Sequence, residues 1–438
     1  MITDKEDLFG RLVPAQECDT KLLNITEIEK VAALTVNQTH VHCTRCNADC
    51  EKRIVKLPDE NFYCNECLNL GRLDNTMQLV HLTERNQFKV DYPVLTWEGN
   101  LTQLQQKCSD EIVMAFQNQQ DKLLWAVTGA GKTEISFTGV AWALEHGLRV
   151  GIASPRVDVC TELFPRFQAA FQNTSMILLH GKSEEVYHYR QLTICTTHQL
   201  LRFQAAFDIL IIDEVDAFPY ANSQSLQLAA KRAVKSDGSM LLMTATPSKQ
   251  LQNEYEISYL PLRFHRHLLP QIKIHYCFNW KTKIYSGKIP ERLIKAVRKK
   301  IQQKQRFLLF VPRISDLKVV NQVLEKRIKE TKCWETVYSS DENRMEKVQK
   351  MRDGEYLFLI TTTILERGVT FPGIDVIILG GDERVFSVSS LVQIAGRVGR
   401  KLDRPTGNVD CYLGSYAKNV AAARAQITEM NRRGKQVG

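Results

Sequence analysis

No apolar run in this sequence approaches the roughly 18 residues that a membrane-spanning helix requires. The N-terminus, "MITDKEDLFGRLVPAQE", mixes acidic residues into its first turns and lacks the apolar core of a secretory signal. Short-period repeats and low-complexity tracts are missing too, so neither a solenoid nor a disordered chain is expected. These absences predict a protein kept in the cytosol, with peripheral association at the inner face of a membrane left open. In that reducing compartment the 12 cysteines should not build a disulfide framework. Charge of one sign is only mildly in excess: the net formal charge is +9. That sign suits a polyanion such as nucleic acid, and equally an ordinary basic soluble protein.

With 438 residues the chain has room for two or three domains. Residues 1–90 hold a cysteine cluster and few strong periodic patterns. Over 91–262, short apolar runs ("LLWAV", "RVGIAS", "MILLH", "LTICTT", "DILIID", "MLLMTAT") alternate with helical segments. Such continuous runs predict parallel strands covered on both faces. "YLPLRFHRHLLPQ" (259–271) breaks the rhythm and reads as a linker. The alternation resumes over 263–438 with "KIHYCF", "RFLLFVP", "ETVYSS", "LFLITTT", "DVIILG" and "NVDCYLG". The fold class expected is α/β, with two tandem parallel-sheet domains after a small cysteine module.

The segment "LLWAVTGAGKTE" reads as a strand, a glycine-rich turn and a helix start. Gly129 and Gly131, with Thr128 and Ala130 between and beside them, let backbone N–H groups turn towards phosphate oxygens. Lys132 would contact the β- and γ-phosphates, and the Thr133 hydroxyl would hold Mg²⁺. The usual phosphate-loop pattern has glycine where this chain has Ala126. In "DILIIDEVD", Asp213 and Glu214 follow an apolar strand, at the rim where open α/β sheets bind ligands. Asp213 would hold Mg²⁺ through water, and Glu214 would polarise the attacking water. Asp216 is expected to link neighbouring motifs. Near the C-terminus, "LVQIAGRVGR" (391–400) offers Arg397 and Arg400. Such arginines stabilise charge developing on a transferring γ-phosphoryl group, here as part of the second α/β domain.

These motifs, in this order, resemble the superfamily-two DEAD/DEAH-type helicases from about Leu101 onwards. In that family's A-x-T-G-x-G-K-T pattern an alanine at the position of Ala126 is normal. The resemblance implies two RecA-like domains and ATP as the nucleotide. It gives Gln105 in "LTQLQ" the role of adenine reader and adds Gln393 to the catalytic set. "ASPR" (153–156), "TTHQL" (196–200), "LFVPR" (309–313) and "TTTILERGVTF" (361–371) match strand-contacting motifs. By that match Ser154, Arg156, Thr197, Arg313 and Thr362 would lie along a nucleic-acid backbone. Arg367 and Gly368 would sit between strand and nucleotide. Phosphate contacts of this kind grip without reading sequence.

In "HCTRCNADCEKRIVKLPDENFYCNEC" two C-x2-C pairs, Cys43/Cys46 and Cys64/Cys67, flank residues 47–63. The spacing fits a tetrahedral four-thiolate Zn²⁺ site, with Cys50 and His42 outside the first shell. Arg45, Lys52, Arg53 and Lys56 make the module basic, which suits either DNA contact or a solvated surface. A four-cysteine module ahead of a helicase core resembles the late competence ATPases of Gram-positive bacteria. That resemblance implies single-stranded DNA, other DNA-uptake proteins and a membrane channel as partners. Replication-restart helicases share the motor but carry their cysteines between motor motifs. A switching ATP-gated clamp that does not travel stays open as a different class.

Overall fold

The computed structural model describes residues 1–181, 183, 186–328, 332–367, 371–400 and 402–437. Residue contacts divide the chain into two compact units. One comprises Met1–Leu124 with Lys132–Tyr259, the other Trp125–Gly131 with Leu260–Gly438.

The first unit is organised on a seven-stranded sheet. Its strands are β1 (Lys122–Ala126), β2 (Val150–Ser154), β3 (Met176–Leu179), β4 (Leu192–Thr196), β5 (Phe207–Asp213), β6 (Val234–Thr244) and β7 (Glu256–Leu260). Their spatial order is β7-β1-β6-β5-β2-β4-β3. The pairs β5–β6, β5–β2, β2–β4 and β4–β3 are parallel. Every residue of β1, β2 and β4 is buried, as the unbroken apolar runs require of strands covered on both faces. The helix Lys132–Glu145 that follows β1 is apolar nearly all round and correspondingly buried, with Ile135, Phe137, Val140 and Leu144 in the core. From it the chain re-enters the sheet at β2, with β6 and β5 lying between β1 and β2. A change of winding direction of this kind opens a crevice at the carboxyl ends of the strands.

The second unit carries a six-stranded sheet of β8 (Ile272–Tyr276), β9 (Phe307–Phe310), β10 (Trp334–Val337), β11 (Phe358–Thr361), β12 (Asp375–Leu379) and β13 (Val409–Leu413). The order is β8-β13-β12-β9-β11-β10, and every neighbouring pair is parallel. Its core stacks Phe307 on Phe358 and Phe358 on Trp334. The helix Glu291–Gln302 buries Leu293, Ile294 and Val297 at helical spacing.

Ahead of the first motor sheet stand two small antiparallel sheets. One orders Leu12–Pro14, Gln78–His81 and Glu29–Ala32; the other Leu34–Val36, His40–Cys43 and Asp49–Glu51. They are not a free appendage. One continuous core joins Cys43, Cys46, Cys64 and Cys67 to Phe203, Phe207 and Ala229 of the motor sheet and its helices. Arg149, just before β2, pairs with Glu84 while both side chains are fully buried. Its guanidinium also donates to the Phe9 carbonyl (3.0 Å) and to the Tyr187 hydroxyl (2.7 Å). Removing one partner of such a pair strands a buried charge, so this network fixes the N-terminal region to the motor. Among the described residues no helix is long and apolar enough to cross a membrane.

Candidate nucleotide, nucleic-acid and zinc sites

The phosphate-loop turn follows β1 directly. Gly129 (φ 78°) and Gly131 (φ 81°) both adopt left-handed backbone, which a side chain at either position would strain. Lys132, the first residue of the helix, bonds through Nζ to Asp213 Oδ1 at the end of β5. Asp213 also accepts the Glu214 backbone N–H at 2.8 Å. Glu214 has φ 58°, unusual for a non-glycine residue and costing about 1–3 kcal/mol. A left-handed residue here turns the chain sharply at the end of β5, and no sequence pattern announces it. Asp216 Oδ1 accepts a hydrogen bond from Thr244 Oγ1 (2.7 Å), and Oδ2 accepts one from Thr246 Oγ1. Asp216 is thereby tied to Thr244 at the end of β6 and to Thr246 just beyond it.

The turn is suited to an anion. Thr128 Oγ1 is buried with no hydrogen-bond partner, a cost that a phosphate oxygen would relieve. Thr133 is buried at the start of the helix. Gln105 is buried too, and its carbonyl accepts the Thr102 N–H (2.9 Å) in a capping box that starts the helix Gln103–Gln117. Its position is therefore fixed by helix capping, a local role the sequence motif does not reveal.

The arginine motif ends the helix Val388–Ala395, on which Gln393 is buried. Arg397 is almost fully buried and donates through Nε to the Glu366 carbonyl (3.0 Å). Arg400 is half-buried and donates through Nε to the Gly396 carbonyl (3.0 Å). Gly396 belongs to the same compact unit as the phosphate-loop turn, and a Cβ there would collide with the Thr128 side chain. Glycine is needed at this position for close approach, not for a special φ.

Two residues of this group were missed by sequence reasoning. Arg263, in the segment expected to be a mere linker, is 2% exposed. It donates to the carbonyls of Val398 (2.7 Å), Gly399 (2.7 Å) and Gly396 (3.2 Å). His265 Nε2 lies 3.0 Å from the Gly399 carbonyl. Together they hold the turn that carries Arg397 and Arg400. Burial, reinforced by the charge of Arg400, pulls the Arg263 pKa down to about 9. An unpatterned arginine far away in sequence gives no signal of such a task.

The strand-contact candidates sit in different surroundings. Ser154 and Thr197 are fully buried, at the ends of β2 and just beyond β4, and the hydroxyl of each has no hydrogen-bond partner. Arg156 forms a two-point pair with Asp158 (3.2 and 3.1 Å). Arg313 is exposed beyond β9 and reaches the Tyr285 hydroxyl and Glu383, each at 3.3 Å. Thr362 is half-buried just after β11. Arg367 is buried and donates to Ser389 Oγ (2.7 Å). Gly368 lies outside the described residues.

The sulfur atoms of Cys43, Cys46, Cys64 and Cys67 all lie within 4.8 Å of one another. Cys43 and Cys67 are 3.8 Å apart, Cys46 and Cys64 3.5 Å. Sulfurs at about 2.3 Å from a tetrahedral ion stand about 3.8 Å from each other, so the four residues fit Zn²⁺. Hydrogen bonds among the four thiols hold Cys67 and Cys43 below the ordinary thiol pKa and push Cys46 and Cys64 above it. Cys50 donates instead to Asn65 Oδ1 (3.0 Å), and His42 pairs with Asp49 (3.0 Å). One expectation is corrected here. Arg45, read as part of a basic surface, is 1% exposed and donates to the carbonyls of Cys67 (3.0 Å) and Gly71 (2.7 Å). Its charge is used inside the module. Arg232, from the helix Gln224–Ala233, donates to the carbonyls of Thr44 (3.0 Å) and Arg45 (2.7 Å) and so clamps the module to the motor.

Comparison with known proteins agrees with this geometry. The family model "Helicase conserved C-terminal domain" matches residues 288–401, and "Type III restriction enzyme, res subunit" matches residues 98–249. Competence protein ComFA of Bacillus subtilis (strain 168) is 38% identical over 411 residues, covering 91% of this chain and 87% of that protein. The chain belongs to the ComFA family. ComFA of Streptococcus pneumoniae (strain R6) is 37% identical over 431 residues, 97% of this chain and 98% of that protein. Among solved structures, Saccharomyces cerevisiae Dbp5 bound to RNA and ADP BeF3 aligns with a TM-score of 0.54. It covers 76% of this chain and 88% of that one at 15% identity, a likeness of fold alone. As a ComFA-family member with both helicase halves, the chain is a superfamily-two DNA-dependent ATPase of competence, with two RecA-like domains. A helicase-type ATPase implies ATP and Mg²⁺ as its reactants and cofactor, and the four cysteines suit zinc.

Proposed function

We propose that this ComFA-family ATPase is a translocase that moves along single-stranded DNA and drives DNA uptake from the cytoplasmic side. The reading assigns residues 1–90 to the zinc-bearing region, 91–262 to the ATP-binding domain and 263–438 to the arginine-bearing domain. The observations that support it best are the bond from Lys132 to Asp213 and, three residues on, the bonds from Thr244 and Thr246 to Asp216. The first ties the phosphate-loop lysine to the end of β5, and the others tie the acidic turn that follows to Thr244 at the end of β6 and to Thr246 beyond it.

In this mechanism the N–H groups of the turn Thr128–Gly131 cradle phosphate, and Lys132 neutralises the β- and γ-oxygens. Thr133 and Asp213 are the residues that would hold Mg²⁺, which supplies further charge neutralisation. Glu214 orients and polarises the attacking water. Gln393, Arg397 and Arg400 stabilise charge on the departing γ-phosphoryl group, and Gln105 reads the adenine. Ser154, Arg156, Thr197, Arg313 and Thr362 grip the strand backbone, whose contacts need no sequence match. Other uptake proteins and a membrane channel are the expected company at the inner membrane face.

The test is ATP hydrolysis with single-stranded DNA, duplex DNA, RNA and no nucleic acid. Single-stranded DNA should stimulate turnover most, and added salt should weaken the effect. Strand displacement on long duplexes should be poor. The segment between "TAT" and "LFVPR" forms one short helix, two strands, a turn of helix and one further helix, with no inserted separating domain. Equal turnover with and without every nucleic acid would refute the motor, and efficient unwinding by the purified chain would favour a repair or restart helicase.

A further inference from the structure

Three large aromatic rings stand in solvent on one short stretch of the second unit. Tyr276 ends the edge strand β8 at 41% exposed, Phe278 follows it at 69%, and Tyr285 ends the short helix Trp280–Tyr285 at 75%. Isolated exposed apolar residues need no explanation, but these are not isolated. Tyr276 and Phe278 lie parallel, ring centroids 5.9 Å apart and planes 8° apart. The neighbouring aromatic, Trp280, is buried at 3% and spends its indole N–H on Asp382 (3.2 Å), so the segment has its own hydrophobic anchor without them.

The surroundings are basic. The stretch "YCFNWKTKIYSGKIPER" (276–292) contains Lys281, Lys283, Lys288 and Arg292 against one acid, Glu291, although Lys281 and Arg313 both pair with Glu383 (2.6 and 3.3 Å). Glu291 pairs with Arg327 (2.9 Å). Arg292 donates to the Tyr276 carbonyl (3.2 Å), which places a guanidinium beside the stacked pair. Arg313 donates to the Tyr285 hydroxyl (3.3 Å), so the third ring touches the residue assigned above to the strand backbone. Because all six strands are parallel, Tyr276 at the end of β8, Arg313 beyond β9 and Thr362 beyond β11 share one carboxyl-end rim.

The geometry points to Tyr276, Phe278 and Tyr285 as a base-stacking platform for single-stranded nucleic acid, continuing the backbone path of Arg313 and Thr362. This rests on the single-strand reading above. Backbone contacts alone hold any strand by charge; flat rings with cations between them select strands whose bases are unpaired, because duplex bases already stack on each other. A purely electrostatic path would not need exposed rings.

The experiment uses the full chain with fluorescent oligo(dT) and with an abasic oligomer of equal length, which keeps the phosphates and removes the bases. Loss of a base–aromatic stack is expected to weaken binding by about tenfold, and the double variant Tyr276→Ala/Phe278→Ala should therefore bind oligo(dT) at least tenfold more weakly than the unaltered chain. Phe278→Trp should restore or exceed normal binding in the Phe278 position. The salt dependence should keep its slope, since phosphate contacts are unchanged. The abasic oligomer should bind the unaltered chain and the double variant equally. Turnover without DNA should be the same in both, showing that the variant is folded. Undiminished oligo(dT) binding by the double variant overturns the platform and leaves the rings as a surface for a protein partner. An equal loss on the abasic oligomer also overturns it, since the bases would then play no part. If the unaltered chain binds no oligo(dT) at all, the single-strand reading itself fails, and the platform with it.

Discussion

Arg400→Ala is expected to lower ATP turnover about a thousandfold or more while leaving ATP binding close to normal, the loss characteristic of an arginine that acts only on the transferring phosphoryl group. In the proposed mechanism the ground-state contacts to the nucleotide come from the turn Thr128–Gly131 and from Lys132, none of which this substitution alters. Arg400 is the cleaner probe of the two arginines. Arg397 is almost fully buried and bonds the Glu366 carbonyl, so its loss also removes packing. Arg400 is half-buried and anchored by Nε on the Gly396 carbonyl, which aims its guanidinium without making it part of the core. Arg400→Lys should be nearly as inactive, because a lysine cannot reproduce the planar fork. Single-turnover measurements alongside nucleotide binding separate the two effects, and near-normal turnover in Arg400→Ala would remove Arg400 from the mechanism.

The second large effect is on the zinc centre. The double variant Cys64→Ser/Cys67→Ser should fall from about one Zn²⁺ per chain to none, read by elemental analysis. It should also lose several kcal/mol of stability, because the binding free energy of a structural zinc is folding free energy. The shared core makes this loss spread. Cys43, Cys46, Cys64 and Cys67 sit in the same cluster as Phe203, Phe207 and Ala229, and Arg232 ties Thr44 and Arg45 to the helix before β6. Melting of the module should therefore lower the unfolding temperature of the ATP-binding unit as well. Zinc retained at full content, or zinc lost with an unchanged melting temperature, would contradict this account.

What could be read in the sequence was whatever depends on neighbours in the chain. The run "DILIID" predicts a buried strand ending in acids, and Phe207–Asp213 is that strand. The C-x2-C pairs predict a four-sulfur cluster, because each pair is a local turn and only the meeting of two pairs is a tertiary fact. The unreadable part consists of polar groups whose partners are backbone carbonyls far away. Arg263 serves a turn that begins at Gly396; Arg232 serves Thr44 and Arg45; Arg149 serves Phe9. A backbone carbonyl has no residue identity, so no pattern of side chains can announce such a bond. Arg45 shows the converse error, since basic composition predicts a wet surface unless the fold supplies a ring of carbonyls to bury it. The left-handed backbone at Glu214 belongs to the same class: it is imposed by the strand end and is invisible in "DEVD".

The central claim is that ATP turnover is spent on travel along a single strand. The most direct measurement is the maximal turnover rate of the full chain as a function of single-stranded DNA length, at saturating ATP and saturating DNA. A translocase spends a larger share of its cycles moving before it reaches an end as the strand grows. The rate should therefore climb with length and level off only when dissociation, not arrival at an end, terminates the run. A rate that is stimulated by single-stranded DNA but independent of its length would contradict the account and describe a clamp that switches in place.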